Sequence, residues 1–550
     1  MKKKSSRNNF IIQGGILGIA GILTRIIGMF YRIPVTNIIG PKGNGYYAAA
    51  YQIYTIMLLI SSYSLPLAVS KLVSARIGAG EYKNADRIFR GAFRFAACTG
   101  GFVCLLILIG ADFFATHLMS ESMSGIALKV FAPTLLTVAL MGVIRGYFQG
   151  MGTMIPTAVS QIVEQIVNAV VSILAAKYLF DYGLRVGALL QNDNYSAAYG
   201  AAGSSLGTGA GALAGFILLS AMLLHESRTL KKKQKLEMAR RAEPYSDIMR
   251  ILLLTIVPVI LSTAVYNIGE LLSNSVFNRI MMLKGFGDTK SYTWGVYSGE
   301  YKVLLNVPIA LSNAMCSSVV PALTACMAVR DLKGARRKIS QVMRFMMILA
   351  FPCAVGLGVL ARPIMAMLFK DGYDLAAKLM HLGCINIILY SISTLSNGIL
   401  QGINKMNIPV RNAVISLMLQ MGVLIALLNF TNFGIYSVIL ANTCFAFLMS
   451  VLNHMAIRKY IRYRQETFRT FVMPLICTAI MALVVFVVSK IMDLISGNIA
   501  NVMISMIVGG LVYCYLVIKL RVISVSELRR FKMGEFLVAF LRLNDEELYE

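Results

Sequence analysis

Two arginines lie within the first apolar stretch of the chain, which runs from Phe10 to Pro34. About 20 mostly apolar residues suffice to cross a bilayer, so the stretch predicts a membrane span with Arg25 inside it and Arg32 near its end. On a helix, a seven-residue separation returns almost to the same face, about 10 Å further along the axis. The spacing therefore predicts that both guanidinium groups look into one space, where they are suited to bind a phosphate.

An arginine inside the membrane needs an explanation, because its insertion costs ~2.5 kcal/mol or more unless water or a partner compensates the charge. The alternative for either arginine is that its side chain snorkels to the membrane interface. The deeper position of Arg25 makes snorkelling a weaker explanation there than for Arg32. Gly28 and Pro34 offer places where this helix can bend.

Two later apolar segments carry polar residues at helical spacing. Their members are Gln161, Glu164, Gln165 and Asn168 in one segment, and Asn267, Glu270, Asn274 and Asn278 in the other. Each set follows the i, i+3, i+4, i+7 pattern and so shares one helix face. A single amide in a span is usually a helix–helix hydrogen bond, whereas four in register predict a wetted wall. A third segment adds Asn386, Tyr390, Ser393, Thr394, Asn397 and Gln401.

Glu300 and Lys302 open another apolar segment, ahead of Pro308. Residues two apart do not face each other on a helix, so each is predicted to have other partners. Two interpretations of Lys302 stay open. It either joins Arg25 and Arg32 around an anion or lies near the outer membrane interface.

Cations surrounded by neutral hydrogen-bonding groups suit an anionic, hydroxyl-rich substrate such as a phosphate-linked glycan. The predicted substrate-binding residues are Arg25, Arg32, Lys302, Glu300, Gln161, Glu164, Gln165, Asn168, Asn267, Glu270 and Asn274. We predict no catalytic residue, no metal ligand and no cofactor. Whether H⁺ or Na⁺ acts as a coupling ion stays open.

The composition is that of a polytopic membrane protein. Of the 550 residues, 57% are hydrophobic and 14% are charged, against about 25% charged in soluble proteins. The net charge of +27 would suggest nucleic acid in a soluble protein. Here the basic residues lie in alternate loops between apolar runs, so topology explains them better and no nucleic-acid partner is predicted. The nine cysteines are scattered without metal or disulfide spacing.

The hydropathy pattern predicts an all-α integral membrane protein with fourteen transmembrane helices. The predicted spans, numbered 1 to 14 in chain order, are 10–31, 46–70, 91–113, 126–148, 155–177, 198–223, 250–275, 295–325, 342–368, 379–400, 409–430, 434–457, 470–490 and 500–519. Most Lys and Arg fall in the even-numbered loops, which include 71–94, the region around 145, 225–250 and 330–344. By the positive-inside rule these loops and both termini are cytoplasmic. The first span is predicted to remain uncleaved.

An internal repeat appears when the chain is shifted along itself by 250 residues. Gly45, Tyr47, Arg87 and Arg94 then fall on Gly295, Tyr297, Arg337 and Arg344. Six spans per copy is an even number, which predicts two six-helix bundles in a parallel pseudo-two-fold repeat, followed by two C-terminal helices. The predicted domains are an N-lobe (1–224), a basic cytoplasmic linker (225–249), a C-lobe (250–457), spans 13 and 14 (458–520) and an amphipathic cytoplasmic tail (521–550).

Span 6 contains four glycines at intervals of four, Gly203, Gly207, Gly211 and Gly215. A phosphate-binding loop would need a preceding strand and a following lysine, and the segment has neither. Close helix packing through small residues is the better interpretation.

The segment T-R-I-I-G-M-F-Y-R-I-P at 24–34, the six-span repeat and the fourteen spans together resemble the multidrug/oligosaccharidyl-lipid/polysaccharide (MOP) exporter superfamily. Within it, the chain is similar to the polysaccharide biosynthesis branch that includes stage V sporulation protein B and the lipid II flippases. In those flippases the first span carries arginines that line a cationic cavity for the diphosphate. Arg25 and Arg32 match them, whereas Ile33 replaces the family's acid and Lys302 only loosely matches a further basic residue.

This resemblance implies a non-enzymatic transporter of the bacterial cytoplasmic membrane. It would flip a polyprenyl-diphosphate-linked glycan, such as lipid II or a related lipid-linked oligosaccharide, by alternating access and without an ATP site. Spans 13 and 14 would offer a groove for the polyprenyl tail. The expected partners are this lipid-linked glycan and membrane lipids, and the expected state is a monomer.

Two other functions stay open. A cation-coupled multidrug exporter of the same fold would need a buried carboxylate, for which Glu164 or Glu270 could serve. A membrane glycan polymerase or ligase would need catalytic acids or histidines in a large outer loop. The longest predicted outer loop offers only Asp181 and Asp193, so this function is the least favoured.

Overall fold

A computed structural model describes residues 2–235, 243–495, 497–520 and 522. Part of the predicted linker, 236–242, lies outside the described residues. So does the predicted amphipathic tail, apart from Val522.

The described residues form α-helices joined by short turns. In chain order these are α1 (Lys2–Leu58), α2 (Leu65–Gly78), α3 (Tyr82–Phe113), α4 (Ser124–Gly150), α5 (Ile155–Leu190), α6 (Asn194–Lys235), α7 (Tyr245–Leu283), α8 (Gly287–Val296), α9 (Lys302–Ala328), α10 (Leu332–Val359), α11 (Ala361–Leu368), α12 (Tyr373–Gly383), α13 (Ile385–Gly402), α14 (Asn407–Phe430), α15 (Tyr436–Ile461), α16 (Met473–Ile495) and α17 (Asn498–Lys519). Single π-helical turns lie at Leu59–Tyr63, Phe114–Leu118, Tyr297–Tyr301 and Phe468–Val472.

The long helix α1 is broken at Gly40, whose φ of 68° and ψ of 175° are not helical. Glycine reaches this region because it has no Cβ, and Pro41 cannot donate a backbone hydrogen bond across the break. The backbone stays helical at Gly28 and Pro34 and loses helical geometry only at Gly40. The break therefore separates predicted spans 1 and 2.

The chain is an all-helical, multi-pass membrane protein. Eleven described segments are long and apolar enough to span a membrane, or twelve if α12 and α13, bent by 55°, form one span. One of the eleven, Ala20–Gly78, is 59 residues long and contains the Gly40 break. The helix α7, with 39 residues, is outside this count. The total of fourteen stays a prediction.

The chain forms two compact units. Unit 1 comprises the chain up to Val303 together with Met421–Val438, and unit 2 comprises Leu304–Gln420 together with the described residues from Ile439 onward. In unit 1, one core cluster packs Tyr47, Tyr54 and Phe131 against small residues of α6. In unit 2, a core cluster joins one face of α10 to the end of α15.

The glycine stripe of α6 packs directly against α5. A Cβ at Gly203 would overlap the backbone of Ala175, one at Gly207 would overlap Ser172, and one at Gly211 would lie 2.5 Å from the Glu164 carbonyl oxygen. These glycines let the two backbones approach closely, as small residues do in membrane helix pairs. The packing interpretation of this stripe is confirmed.

Within unit 1, α1 and α8 cross at two glycines that the 250-residue shift relates. A Cβ at Gly45 would overlap the carbonyl of Ser291, and a Cβ at Gly295 would overlap the carbonyl of Pro41. Because Ser291 also follows Pro41 by 250 residues, the contact is reciprocal, as contacts across a two-fold axis are. The starts of α3 and α10, at Tyr82 and Leu332, keep the same spacing. These features fit the predicted repeat, whose two six-helix halves stay a prediction.

Candidate functional site

Arg32 lies against an aromatic cluster of unit 1. Its guanidinium carbon is 4.2 Å from the centroid of the Tyr47 ring, a cation–π distance. Tyr47 in turn stacks on Tyr51, with ring centroids 5.7 Å apart, and packs against Phe131. Arg25 is exposed in this structure. The cation–π contact with Tyr47 stabilises the Arg32 charge.

The polar stripe of α5 faces the helix that carries these arginines. Asn168 donates from Nδ2 to the Tyr31 hydroxyl at 3.1 Å, and a Cβ at Gly28 would lie 3.8 Å from Oε1 of Gln165. Gly28 shares its helix face with Arg25 and Arg32, since the three follow the i, i+3, i+7 spacing. The structure thus brings the predicted arginines and the predicted α5 stripe to adjoining helix faces.

Glu164 is paired with Arg145, a residue that sequence analysis assigned to an inner loop. The Arg145 Nη2 to Glu164 Oε2 distance is 2.8 Å, and their side chains are 13% and 22% exposed. Arg145 also donates from Nε to the Ser160 hydroxyl at 3.1 Å. Arg145 lies in α4, within predicted span 4, and pairs with the stripe of α5. Gln161 is half-buried on the same α5 face.

The α7 stripe forms a hydrogen-bonded chain that reaches Lys302. Lys302 Nζ lies 2.6 Å from Glu270 Oε1, to which Gln52 donates from Nε2 at 3.4 Å. Asn274 donates to Gln52 Oε1 at 2.7 Å, and Asn278 donates to Asn274 Oδ1 at 3.0 Å. Lys302 is therefore balanced by an acid in this conformation. Asn274 and Asn278 act as helix–helix hydrogen-bonding groups.

The two remaining predicted residues of this region differ in burial. Glu300 has no exposed surface and lies on the π-helical turn Tyr297–Tyr301. Asn267 is half-buried on α7. Thus the predicted residues fall into two sets, one formed by α1 and α5 and the other by α7 with Lys302.

A further buried charge cluster in unit 1 was missed by sequence analysis. Ser291 donates to Glu121 Oε2 at 2.6 Å, and Lys290 Nζ lies 3.6 Å from the same oxygen and also donates to the Ser120 carbonyl. Glu121 lies in the turn before α4, where burial raises the pKa of its carboxyl and the charge of Lys290 opposes that rise. Since Ser291 and Glu121 are 170 residues apart, no local pattern could have indicated the contact.

The polar residues of α13 join helices of unit 2. Asn453 donates to Asn397 Oδ1 at 2.6 Å and to the Ser396 hydroxyl at 3.0 Å. It accepts from Asn412 Nδ2 at 2.9 Å. This network connects α13, α14 and α15, so helix–helix hydrogen bonding explains Asn397 better than a wetted wall does.

Comparisons with known proteins agree with this architecture. The family described as Polysaccharide biosynthesis protein matches residues 13–327. The lipid II flippase MurJ of Bacillus subtilis (strain 168) is 26% identical over 545 residues, covering 94% of this chain and 95% of that protein. Stage V sporulation protein B of the same organism is 24% identical over 536 residues, covering 96% of this chain and 98% of that protein.

Solved structures show the same fold. The inward closed conformation of the lipid II flippase MurJ aligns with a TM-score of 0.65 and 15% identity, covering 92% of this chain and 98% of that chain. A multidrug resistance MATE family transporter of the MOP superfamily, in an inward-facing conformation, aligns with a TM-score of 0.63 and 14% identity. The alignment covers 80% of this chain and 95% of that chain.

The chain therefore has the fold of these two solved membrane proteins. It belongs to the polysaccharide biosynthesis protein family.

Proposed function

We propose that this protein flips a polyprenyl-diphosphate-linked glycan across the bacterial cytoplasmic membrane by alternating access. The observation that carries the proposal is the arrangement of α1 on α5. Arg25 and Arg32 share the face of α1 that includes Gly28, which lies beside Gln165, and Arg32 rests on Tyr47. The similarity to the flippase MurJ along almost the whole chain supports the same proposal.

The chemistry of these groups fits the two parts of such a headgroup. A guanidinium presents a planar fork of donors that binds two phosphate oxygens at once, so Arg25 and Arg32 are assigned to the diphosphate. Gln161, Gln165 and Asn168 offer amide donors and acceptors to sugar hydroxyls. Glu270, Lys302 and Asn267 are assigned to a second wall. The buried Asn274 supports this wall through Gln52, and Glu300 lies on the neighbouring π-helical turn.

The proposed topology has fourteen spans with both termini cytoplasmic. The twelve apolar segments become fourteen when the two sides of Gly40 are counted separately and α7 is added. We assign 1–224 and 250–457 to two lobes related by the 250-residue repeat, joined by the linker 225–249. The last two spans, within 458–520, are assigned to the polyprenyl tail, and the tail 521–550 to the inner membrane surface.

A cation-coupled drug exporter is less well supported. It requires a carboxylate that exchanges its counter-ion during the cycle. Glu164 lies 2.8 Å from Arg145, and Glu270 lies 2.6 Å from Lys302. Both candidate acids therefore already have a basic partner.

The test compares Arg25→Lys with Arg25→Ala in a strain depleted of its lipid II flippase. Lysine keeps the charge and loses the fork, whereas alanine loses both, so transport should fall in the order wild type, Lys, Ala. Loss of a charge-assisted phosphate contact of ~1.5–3 kcal/mol corresponds to roughly 10- to 100-fold for Arg25→Ala. Arg32 variants should follow the same order with a smaller effect.

The control is Arg185→Ala, which removes an exposed arginine near the end of α5 and should complement fully. Membrane abundance of every variant is measured by quantitative blotting. Full complementation by Arg25→Ala at normal abundance would contradict the assignment of Arg25 to the diphosphate and leave snorkelling as its role.

A further inference from the structure

Unit 2 contains a strongly basic cavity that the proposed transport path does not use. Its volume is about 590 Å³, within the 300–1,000 Å³ typical of ligand sites. The lining residues are Arg336, Arg337, Ser340, Gln341, Arg344, Arg462, Tyr463, Arg464 and Glu466.

The first wall of this cavity is the opening of α10. Ala335, Ile339 and Met343 recur every four residues and pack into a buried core with Ile461 and Tyr463. The neighbouring faces of the same three turns carry the polar residues at 336, 337, 340, 341 and 344. Packing of the apolar stripe therefore fixes which way the arginines of α10 point.

The second wall is the turn that follows α15. The helix ends at Ile461, and Arg462 adopts a left-handed conformation with φ of 53°. Arg336 donates from Nε to the Ile461 carbonyl at 2.8 Å, which ties this turn to α10. The chain reversal places Arg462, Tyr463 and Arg464 against the cavity.

Tyr463 supplies a buried hydroxyl at the base of the site. Its side chain belongs to the core and is 3% exposed. Burial raises the pKa of Tyr463 to about 12, and a hydrogen bond with Ser340 opposes that rise. Ser340 and Gln341 add neutral hydrogen-bonding groups.

Among the described residues that line the cavity, arginines outnumber acids. Five arginines line it, and the lining includes one acid, Glu466. Guanidinium groups gathered around one space repel each other and attract an anion that carries more than one negative charge. The apolar run of α10 begins at Phe345, directly after Arg344, so in the proposed topology the cavity lies near the lipid headgroups.

We infer that this cavity binds an anion with two phosphate groups. Arginine forks suit phosphate oxygens, and basic pockets between membrane helices on the cytoplasmic side are known to hold multi-phosphate headgroups. The ligand is either the headgroup of a lipid with two phosphates or a soluble diphosphate. This inference goes beyond the proposed flippase function and does not rest on it.

The test uses the full-length protein with two probes. Retention of cardiolipin, a lipid with two phosphates, is measured by native mass spectrometry after purification from nanodiscs. Binding of inorganic pyrophosphate is measured by calorimetry in neutral detergent at fixed ionic strength. The variant Arg337→Gln/Arg464→Gln removes two exposed arginines of the lining and should weaken binding by about tenfold or more. Tyr463→Phe should weaken it by a smaller factor.

The matched control is Lys333→Gln/Arg411→Gln, which removes the same charge from two exposed residues of unit 2 outside the lining. It should bind as the wild type does, and all variants should keep the wild-type unfolding temperature. Arg25→Ala should also bind normally, which separates this site from the proposed transport site.

Retention of cardiolipin alone would identify a lipid headgroup as the ligand, and binding of pyrophosphate alone would identify a soluble diphosphate. Binding of both probes would show that the site recognises the two phosphate groups and not the rest of the ligand. Each outcome supports the inference if the cavity variant loses binding and the control does not. Equal losses in the two double variants, or no binding of either probe by the wild type, would overturn it.

Discussion

The openings of α3 and α10 are 250 residues apart in the chain and carry arginines at matching positions. In α3, the guanidinium carbons of Arg87 and Arg94 lie 4.8 and 5.3 Å from the ring centroid of Tyr245. In α10, Arg337 and Arg344 line an open cavity of about 590 Å³. Two segments with the same arginine spacing thus meet very different surroundings.

Nearby acids account for the difference. Around α3, Arg76 pairs with Glu243 at 2.6 Å, and Arg90 pairs with Asp86 at 2.8 Å. At the position 250 residues after Asp86, the chain has Arg336. The exchange of an acid for a base at this position, together with the basic turn after α15, leaves more arginines than acids among the described residues of the α10 cavity, which is the basis of the inferred anion binding.

Three ion pairs of unit 1 follow the balanced scheme. Glu121 is paired with Lys290, Glu164 with Arg145, and Glu270 with Lys302. In the buried pair of Glu121 and Lys290 each charge compensates the desolvation of the other, so removal of one partner leaves an uncompensated buried charge. In the cavity of unit 2, removal of one arginine relieves repulsion instead. Stability measurements should separate these two cases.

The largest effect is expected for Lys290→Met. This change leaves the buried Glu121 carboxylate without its lysine, and breaking a buried pair in this way costs about 3–5 kcal/mol. The apparent unfolding temperature of the detergent-purified protein should fall by several degrees. Since burial already raises the pKa of Glu121, loss of Lys290 should raise it further. The deficit should therefore be largest at neutral pH and shrink as the pH falls and Glu121 is protonated.

The double variant Lys290→Met/Glu121→Gln is the control for this prediction. It removes both charges and keeps a side chain that can accept a hydrogen bond from Ser291, so it should cost less than Lys290→Met alone. An equal loss in both variants, or a Lys290→Met deficit that does not change with pH, would show that packing and not charge dominates at this cluster.

A smaller effect is expected for the pair of Arg145 and Glu164. Their 2.8 Å contact predicts that Arg145→Ala and Glu164→Ala are non-additive, with a coupling of about 1–3 kcal/mol in a double-mutant cycle. Chemical denaturation in detergent measures the four species. Additive losses would mean that the pair contributes nothing to folding. Glu164 would then regain its place as a candidate coupling-ion site.

Local periodicity made part of the site predictable from the sequence. The four polar residues of α5 and the pair Arg25 and Arg32 follow helical spacing, and α5 does present its stripe to α1. The small-residue stripe of α6 was predictable for the same reason. Spacing along one helix needs no knowledge of the partner helix.

The partners of these residues could not be predicted in the same way. Arg145 lies 19 residues before Glu164, and their pairing depends on how α4 and α5 cross. Lys302 lies 2.6 Å from Glu270, a partner that spacing along one helix does not indicate. The basic cavity is formed by α10 and by a turn more than 100 residues later in the chain. In the sequence, each of its arginines therefore looks like an ordinary basic residue of a cytoplasmic loop.

The smallest effect, and the sharpest test of the comparison, is expected for Arg87→Ala against Arg337→Ala. The two arginines are 250 residues apart, and each is the sixth residue of its helix, α3 or α10. Loss of Arg87 removes a cation–π contact with Tyr245, worth about 0.5–2 kcal/mol. Loss of Arg337, which is exposed among other arginines, should leave the free energy of unfolding within about 0.5 kcal/mol of the wild type or raise it.

Chemical denaturation of both variants in one detergent, at low and at high salt, measures the difference. Salt screens like-charge repulsion, so any gain from Arg337→Ala should disappear at high ionic strength while the Arg87→Ala loss persists in part. Equal losses for the two variants at both salt concentrations would mean that Arg337 is held by its surroundings as firmly as Arg87 is, which would contradict the inferred repulsion among the arginines of the cavity.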